Sequence, residues 1–196
     1  MAEVADAAQL GLGADLTALA LISLASTELW VTASADAERY LDRGIALARQ
    51  GGRPYLEFTG LAYQAPTYEF YHSFTRAAER GRQAVELAER HGWTEDPAVG
   101  VACTAVGLVL TYQGQPDEAE PWVHRAERTL TAETQPAAVL TIRLIRGTLE
   151  LVRGCNAAAL AAIEAGELLA TRCRLGTRRP GPRCPRAPRS RSLRSG

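Results

Sequence analysis

The sequence predicts an all-α fold, a right-handed α-solenoid of about four helical hairpins, and three observations lead there. The first is a register of small residues at Ala37, Ala77, Ala119 and Ala159, almost evenly spaced along the chain. Seven positions after each stands a second small residue: Gly44, Ala84, Ala126 and Gly166. Between the two lies a larger apolar residue in three copies, Leu41, Val123 and Ile163, and Gly81 breaks the set. Positions i, i+4 and i+7 share one face of a helix, and small side chains there let a neighbouring helix approach closely. A fixed period of about 34 to 47 residues built from helix pairs marks an α-solenoid, and such arrays bind or transmit more often than they catalyse.

The second observation is punctuation at the expected places, which fixes eight helices in order. The first spans about 15–31 and its partner 36–50, which ends at Gly51-Gly52. The second pair covers 54–71 and 73–91, ending at Gly92. The third covers 97–113 and 116–131, the fourth 136–153 and 156–172. Pro54, Pro97, Pro116 and Pro136 suit first-turn positions, where the missing N–H costs nothing. Asp96 and Asn156 are N-cap candidates, and Gly92, Gly114 and Gly154 are C-terminal stops. Arg49, Arg90 and Arg153 lie at helix ends, the favourable side of the helix dipole for a cation. Pro66 and Pro121 fall inside helices, where proline costs about 3 kcal/mol and predicts a local bend.

The third observation is a finer match. Gly107, Gly114, Ala119, Val123 and Ala126 carry offsets 0, 7, 12, 16 and 19, and Gly147, Gly154, Ala159, Ile163 and Gly166 repeat them one period later. Small, turn glycine, small, large, small is the tetratricopeptide (TPR) pattern. The fold expected is therefore TPR-like.

Charge divides the chain. All 22 acids and 14 of the 22 basic residues precede Cys173, so the stretch 1–172 carries a net charge of −8. An acidic array lacks the basic face that phosphate neutralisation needs, so the repeats are expected to make no direct nucleic-acid contact. Every basic residue except the three histidines is Arg. The absence of Lys removes Schiff-base chemistry, a lysine general base and the Walker lysine, and fits a GC-rich coding bias. The stretch 173–196 holds eight Arg, four Pro and no acid, a composition that predicts disorder. Because the periodicity stops abruptly there, with no polar capping helix, the tail reads as the product of a frame change. A basic arm for nucleic acid is the competing reading. The organisation expected is a flexible 1–13, a helical-repeat domain 14–172 and a disordered basic tail 173–196.

No motif carries chemistry. Gly11-Leu12-Gly13 lacks the third glycine of a dinucleotide loop and follows no strand. No P-loop exists. Cys103, Cys155, Cys173 and Cys184 form no C-x-x-C, and His72, His91 and His124 no H-x-x-x-H, so no metal or other cofactor is expected. His124 with Glu120, and His91 with Glu95, have spacings that surface residues show by chance. The expected class is non-catalytic. The N-terminus is acidic where a signal peptide is basic, and the most apolar run, 16–25, is about half a membrane span. A cytoplasmic location with no membrane contact is the expectation. Six of the twelve aromatic residues, Tyr55, Phe58, Tyr63, Tyr68, Phe70 and Tyr71, fall in the one short stretch 55–71. They form either a ligand surface or packing between repeats.

Several phrases carry a family resemblance. Glu28-Leu29-Trp30, Asp36-Ala37-Glu38-Arg39-Tyr40-Leu41, Gly44-Ile45-Ala46-Leu47-Ala48-Arg49 with Gly52-Arg53-Pro54-Tyr55-Leu56-Glu57, Ala84 to Trp93 and Gly114 to Leu130 stand in order. Over roughly 14–172 the chain resembles the helical-repeat region of large ATP-dependent LuxR-type transcriptional regulators, the MalT-like group. The resemblance implies a sensor whose repeats receive a small inducer or a protein partner and govern self-association. In that group a P-loop NTPase module precedes the repeats and a helix-turn-helix follows them. This chain has neither, so ATP hydrolysis and promoter binding are not implied for it. The alternative is a stand-alone TPR scaffold unrelated to transcription. In a TPR-like array the first helix of each hairpin lines the concave surface. The register then places Thr104, Leu108 and Thr111, with Leu144, Thr148 and Leu151, in a ligand groove, and Ala62, Pro66 and Glu69 beside the aromatic group.

Overall fold

A computed structural model of the chain describes residues 13–29, 35–70 and 73–177. Within them lie eight α-helices and no strand. The helices are α1 (Ala14–Leu29), α2 (Ala35–Gln50), α3 (Pro54–Phe70), α4 (Phe74–His91), α5 (Pro97–Tyr112), α6 (Pro116–Thr129), α7 (Pro136–Val152) and α8 (Asn156–Thr177). The expected boundaries hold within two residues, except at the last. There α8 runs five residues into the stretch expected to be disordered. The tail beyond it, 178–196, lies outside the described residues.

Local chemistry explains the boundaries. Asp96 caps α5, its carboxylate accepting from the Ala98 N–H at 2.9 Å. Pro97, Pro116 and Pro136 occupy first-turn positions. Asn156 corrects the sequence reading: it is the first residue of α8, not its cap. Gly92 takes φ 77° after α4, and the Trp93 N–H returns to the Ala88 carbonyl at 2.9 Å. Gly114 and Gly154 close α5 and α7 with the same positive φ, a conformation that only glycine adopts without strain. The helices run unbroken through Pro66 and Pro121.

Packing follows chain order. Each helix packs on the next, and in addition α1, α3, α5 and α7 pack in a row. Among the described residues no two even-numbered helices pack together. This asymmetry matches composition: α2, α4 and α6 carry charge on an outer face, whereas α5 is apolar nearly all round. Thirteen of its sixteen residues are buried, so it is the centre of the core.

The register is what the core is made of. Ala37, Ala77, Ala119 and Ala159 are buried, as are Gly44, Ala84, Ala126 and Gly166. Gly81 has a packing reason: a Cβ there would lie 2.6 Å from Val106 Cγ2 and 2.9 Å from the Ala102 carbonyl oxygen. Helix α5 crosses α4 too closely for any side chain at that position. Gly107 and Gly147 mark the same closeness inside hairpins, with a Cβ 2.9 Å from Val123 Cγ2 and from Ile163 Cγ1 respectively.

Candidate functional site

The row of odd-numbered helices carries a concavity of about 390 Å³. Ser26 and Thr27 of α1, Tyr63 of α3, and Thr134 to Ala137 at the start of α7 line it. Three repeats therefore contribute to one site. The tie across it is a hydrogen bond, Gln135 Nε2 donating to the Tyr63 hydroxyl at 2.7 Å. Gln135 precedes Pro136, so α7's first turn holds it in place. Tyr63 is held by its ring, which packs against the main core.

The chemistry of this site is neutral. Burial raises the Tyr63 pKa, and the field of Asp96 adds to it, against the Gln135 bond that lowers it. Because its oxygen accepts from Gln135, its own O–H remains free to donate. Ser26 and Thr27 donate to the Ser23 carbonyl at 2.9 and 3.0 Å, which leaves their oxygens as acceptors. Donors and acceptors without net charge suit a neutral hydroxyl- or amide-bearing group. A general base poised near neutrality is not among them.

The groove expected from the register is only partly there. Thr104 and Thr111 are buried, and their hydroxyls donate to the carbonyls of Gly100 and Gly107 at 2.8 and 2.7 Å. Neither can meet a ligand, which corrects the sequence reading. The reason is the central position of α5, covered by α3 and α7 on its two sides and by α4 and α6 besides. Leu108 is half-buried against the core. Leu144 and Leu151 are exposed, and the Thr148 hydroxyl donates to the Leu144 carbonyl at 2.9 Å. Ala62 and Pro66 are buried too, and the Glu69 side chain lies outside the described residues. Of the six, then, α7 supplies accessible positions and α5 essentially none.

The aromatic group divides. Tyr55, Phe58 and Trp93 pack with ring centroids 5.1 to 5.9 Å apart, and His91 stacks on Trp93 at 4.6 Å. The Tyr55 hydroxyl donates to Asp96 Oδ2 at 2.8 Å, a bond that pushes its pKa up to about 12. This part is packing between the second and third repeats. Tyr63 alone among the described members faces the concavity. The side chains of Tyr68 and Phe70, and all of Tyr71, lie outside the described residues.

A second groove, about 560 Å³, runs between α4 and α6. Arg82, Val85, Glu86 and Glu89 line one wall, Pro121, Trp122 and Arg125 the other. Arg125 donates to Glu89 at 2.7 Å across it, which pairs one charge of each wall. Sequence reasoning missed Ser26, Thr27, Thr134 and Gln135. No local pattern marks them, since 72 residues separate Gln135 from Tyr63.

Among the described residues no group of three His, Cys, Asp or Glu could hold a metal, and no helix is long and apolar enough to cross a membrane. Cys103 is buried, which pushes its thiol up to about 12, and Cys155 is exposed; neither forms a disulfide. No protein-family model, curated protein or solved structure matches the chain.

Proposed function

We propose that this chain is a non-catalytic sensor or protein-interaction module, built as a TPR-like right-handed α-solenoid of four hairpins. The packing order carries the reading. Among the described residues odd-numbered helices pack in a row and even-numbered ones do not, α4 and α6 meeting only through side chains across their groove. This is how a hairpin array behaves when each unit contacts only its neighbours. The sequence phrases that resemble MalT-like LuxR-type regulators make a sensor segment of such a regulator the preferred setting. The neutral Tyr63 concavity is the place where a small inducer would be received. No nucleophile–base pair emerges around it.

Two measurements test this. Small-angle scattering on the folded chain should give an elongated particle, and a compact sphere would end the solenoid reading. A thermal-shift screen of neutral polyols and amides should find a ligand that raises the melting temperature by mass action. Tyr63→Phe should weaken that hit without lowering the melting temperature of the free protein by more than a few degrees. A hit indifferent to Tyr63→Phe would move the site elsewhere. Translating the flanking DNA in three frames separates the regulator from the scaffold: a P-loop upstream and a helix-turn-helix downstream favour the former.

A further inference from the structure

The repeating register makes each hairpin a control for the others. Leu144 of α7 stands where α1 has Ile22, α3 has Ala62 and α5 has Thr104. Those three are buried at 2%, 0% and 2% exposure, whereas Leu144 is 57% exposed. Leu151 is also exposed, at the position of buried Leu29 and Thr111. Leu160 of α8 is exposed where α4 has Ala78, packed on Val109 of α5, and where α6 has Glu120, bonded to Arg146 of α7. In every earlier repeat the cover is the next odd-numbered helix. Among the described residues no such helix covers the α7/α8 face.

The manner of covering is visible at Gly60 of α3. A Cβ there would lie 3.4 Å from Ile22 Cδ1 and 2.5 Å from Ile45 Cγ1, so α3 seats a small residue on the α1/α2 hairpin. Helix α1 carries the same register: Ala20 at the place of Gly60, and Leu16 at the place of Leu56. Leu56 packs against the core, and its counterparts Ala98 and Ala138 are buried, yet Leu16 is exposed. Among the described residues the α7/α8 face is a socket without a helix, and α1 is a helix without a socket.

We propose that α1 of a second copy of this chain docks on the α7/α8 face, so that copies stack head to tail and continue the array. The proposal rests on the solenoid reading above. Leu16 and Ala20 of one copy meet Leu144, Leu151 and Leu160 of the other, and apolar burial drives the contact. The contact is heterologous and does not close, so assembly proceeds beyond dimers. The chain's own residues 178–196 are a poorer cover. Pro180, Pro182, Pro185 and Pro188 bar the helix that this face receives in every earlier repeat.

Sedimentation velocity of the full chain over a concentration series should show reversible species larger than two copies. Leu144→Arg with Leu151→Arg blocks the socket; Leu16→Arg with Ala20→Arg blocks the helix. Each variant alone should lose association, by at least about tenfold if a charge must be desolvated in the contact. Their equimolar mixture should form a 1:1 dimer and nothing larger, because one intact socket then meets one intact α1. A chain ending at Thr177 should associate like the full chain. A helical but monomeric wild type overturns the stack while leaving the solenoid standing. Loss of helix by circular dichroism overturns both. Association lost only with the α7 variant would mean an isologous dimer, and association gained on removing 178–196 would make that tail the occupant; either result overturns the proposal.

Discussion

Cys103 and Cys155 show how one residue type takes two fates from its surroundings. Burial raises the Cys103 thiol to about 12, and thiolate is the reactive form, whereas Cys155 stands in solvent. Alkylation of the native protein, read by peptide mass spectrometry, should label Cys155 promptly and Cys103 only after denaturation. Labelling of native Cys103 at a comparable rate would mean that α5 is not the buried centre. Two glycines make a similar contrast. A Cβ at Gly100 would lie 2.6 Å from Leu130 Cγ, while one at Gly13 meets nothing within 4 Å. Gly100→Ala should therefore cost about 1–3 kcal/mol by overpacking. Gly13→Ala should be near neutral in the same denaturant titration.

At the scale of the element, Asp96 joins α5 to the second hairpin. Its carboxylate accepts both the Ala98 N–H and the Tyr55 hydroxyl. Asp96→Ala removes a cap, which costs about 0.5–2 kcal/mol, and also strands the Tyr55 hydroxyl. Tyr55 has a folded-state pKa raised from 10.0 to about 12, first by the hydrogen bond to Asp96 and then by burial. A raised pKa contributes stability that is fully present below pH 10 and is lost as pH climbs toward 12. Melting temperature should fall across that window in the wild type, and fall less steeply in Asp96→Ala. Equal slopes would show that the bond does not survive in solution. Helix existence, the glycine stops and the Asp96 cap were legible in the sequence, because proline, glycine and Asp96 act within four residues of themselves, whereas Asn156 proved to be inside α8 and not its cap. The α8 end was not, since Cys173 to Thr177 continue a helix although their composition belongs with the tail.

Across the whole molecule, the hairpins are joined by polar ties as well as by the core. Arg146 of α7 reaches Glu120 at 2.8 Å and Glu127 at 2.8 Å on α6, and Glu150 at 3.4 Å on its own helix. Arg153 adds Glu120 and the Pro116 carbonyl. Burial works against the charge on Arg146, but the bonds to Glu127 and Glu120 outweigh it and raise its pKa. Glu120 is held below its ordinary 4.5, chiefly by the Arg146 hydrogen bond. A lowered carboxylate pKa gives stability that is present above about pH 4.5 and lost as pH falls through the folded-state value. Arg146→Met should lower the melting temperature at pH 7 and flatten its fall below pH 4.5. An unchanged acid limb would assign the acid sensitivity to other carboxylates.

The helices, their pairing and the small faces at which they meet follow from the amino-acid pattern alone, because each depends on residues within one period. Ala37, Ala77, Ala119 and Ala159, the small positions of that register, are all buried. Which faces stay open was decided only by tertiary structure. Thr104 and Leu144 hold the same register position, yet one is buried and the other exposed, since among the described residues only Thr104 has a following odd-numbered helix to cover it. The Tyr63–Gln135 bond has the same origin: it joins α3 to the start of α7, and no local pattern records a contact between residues 72 apart.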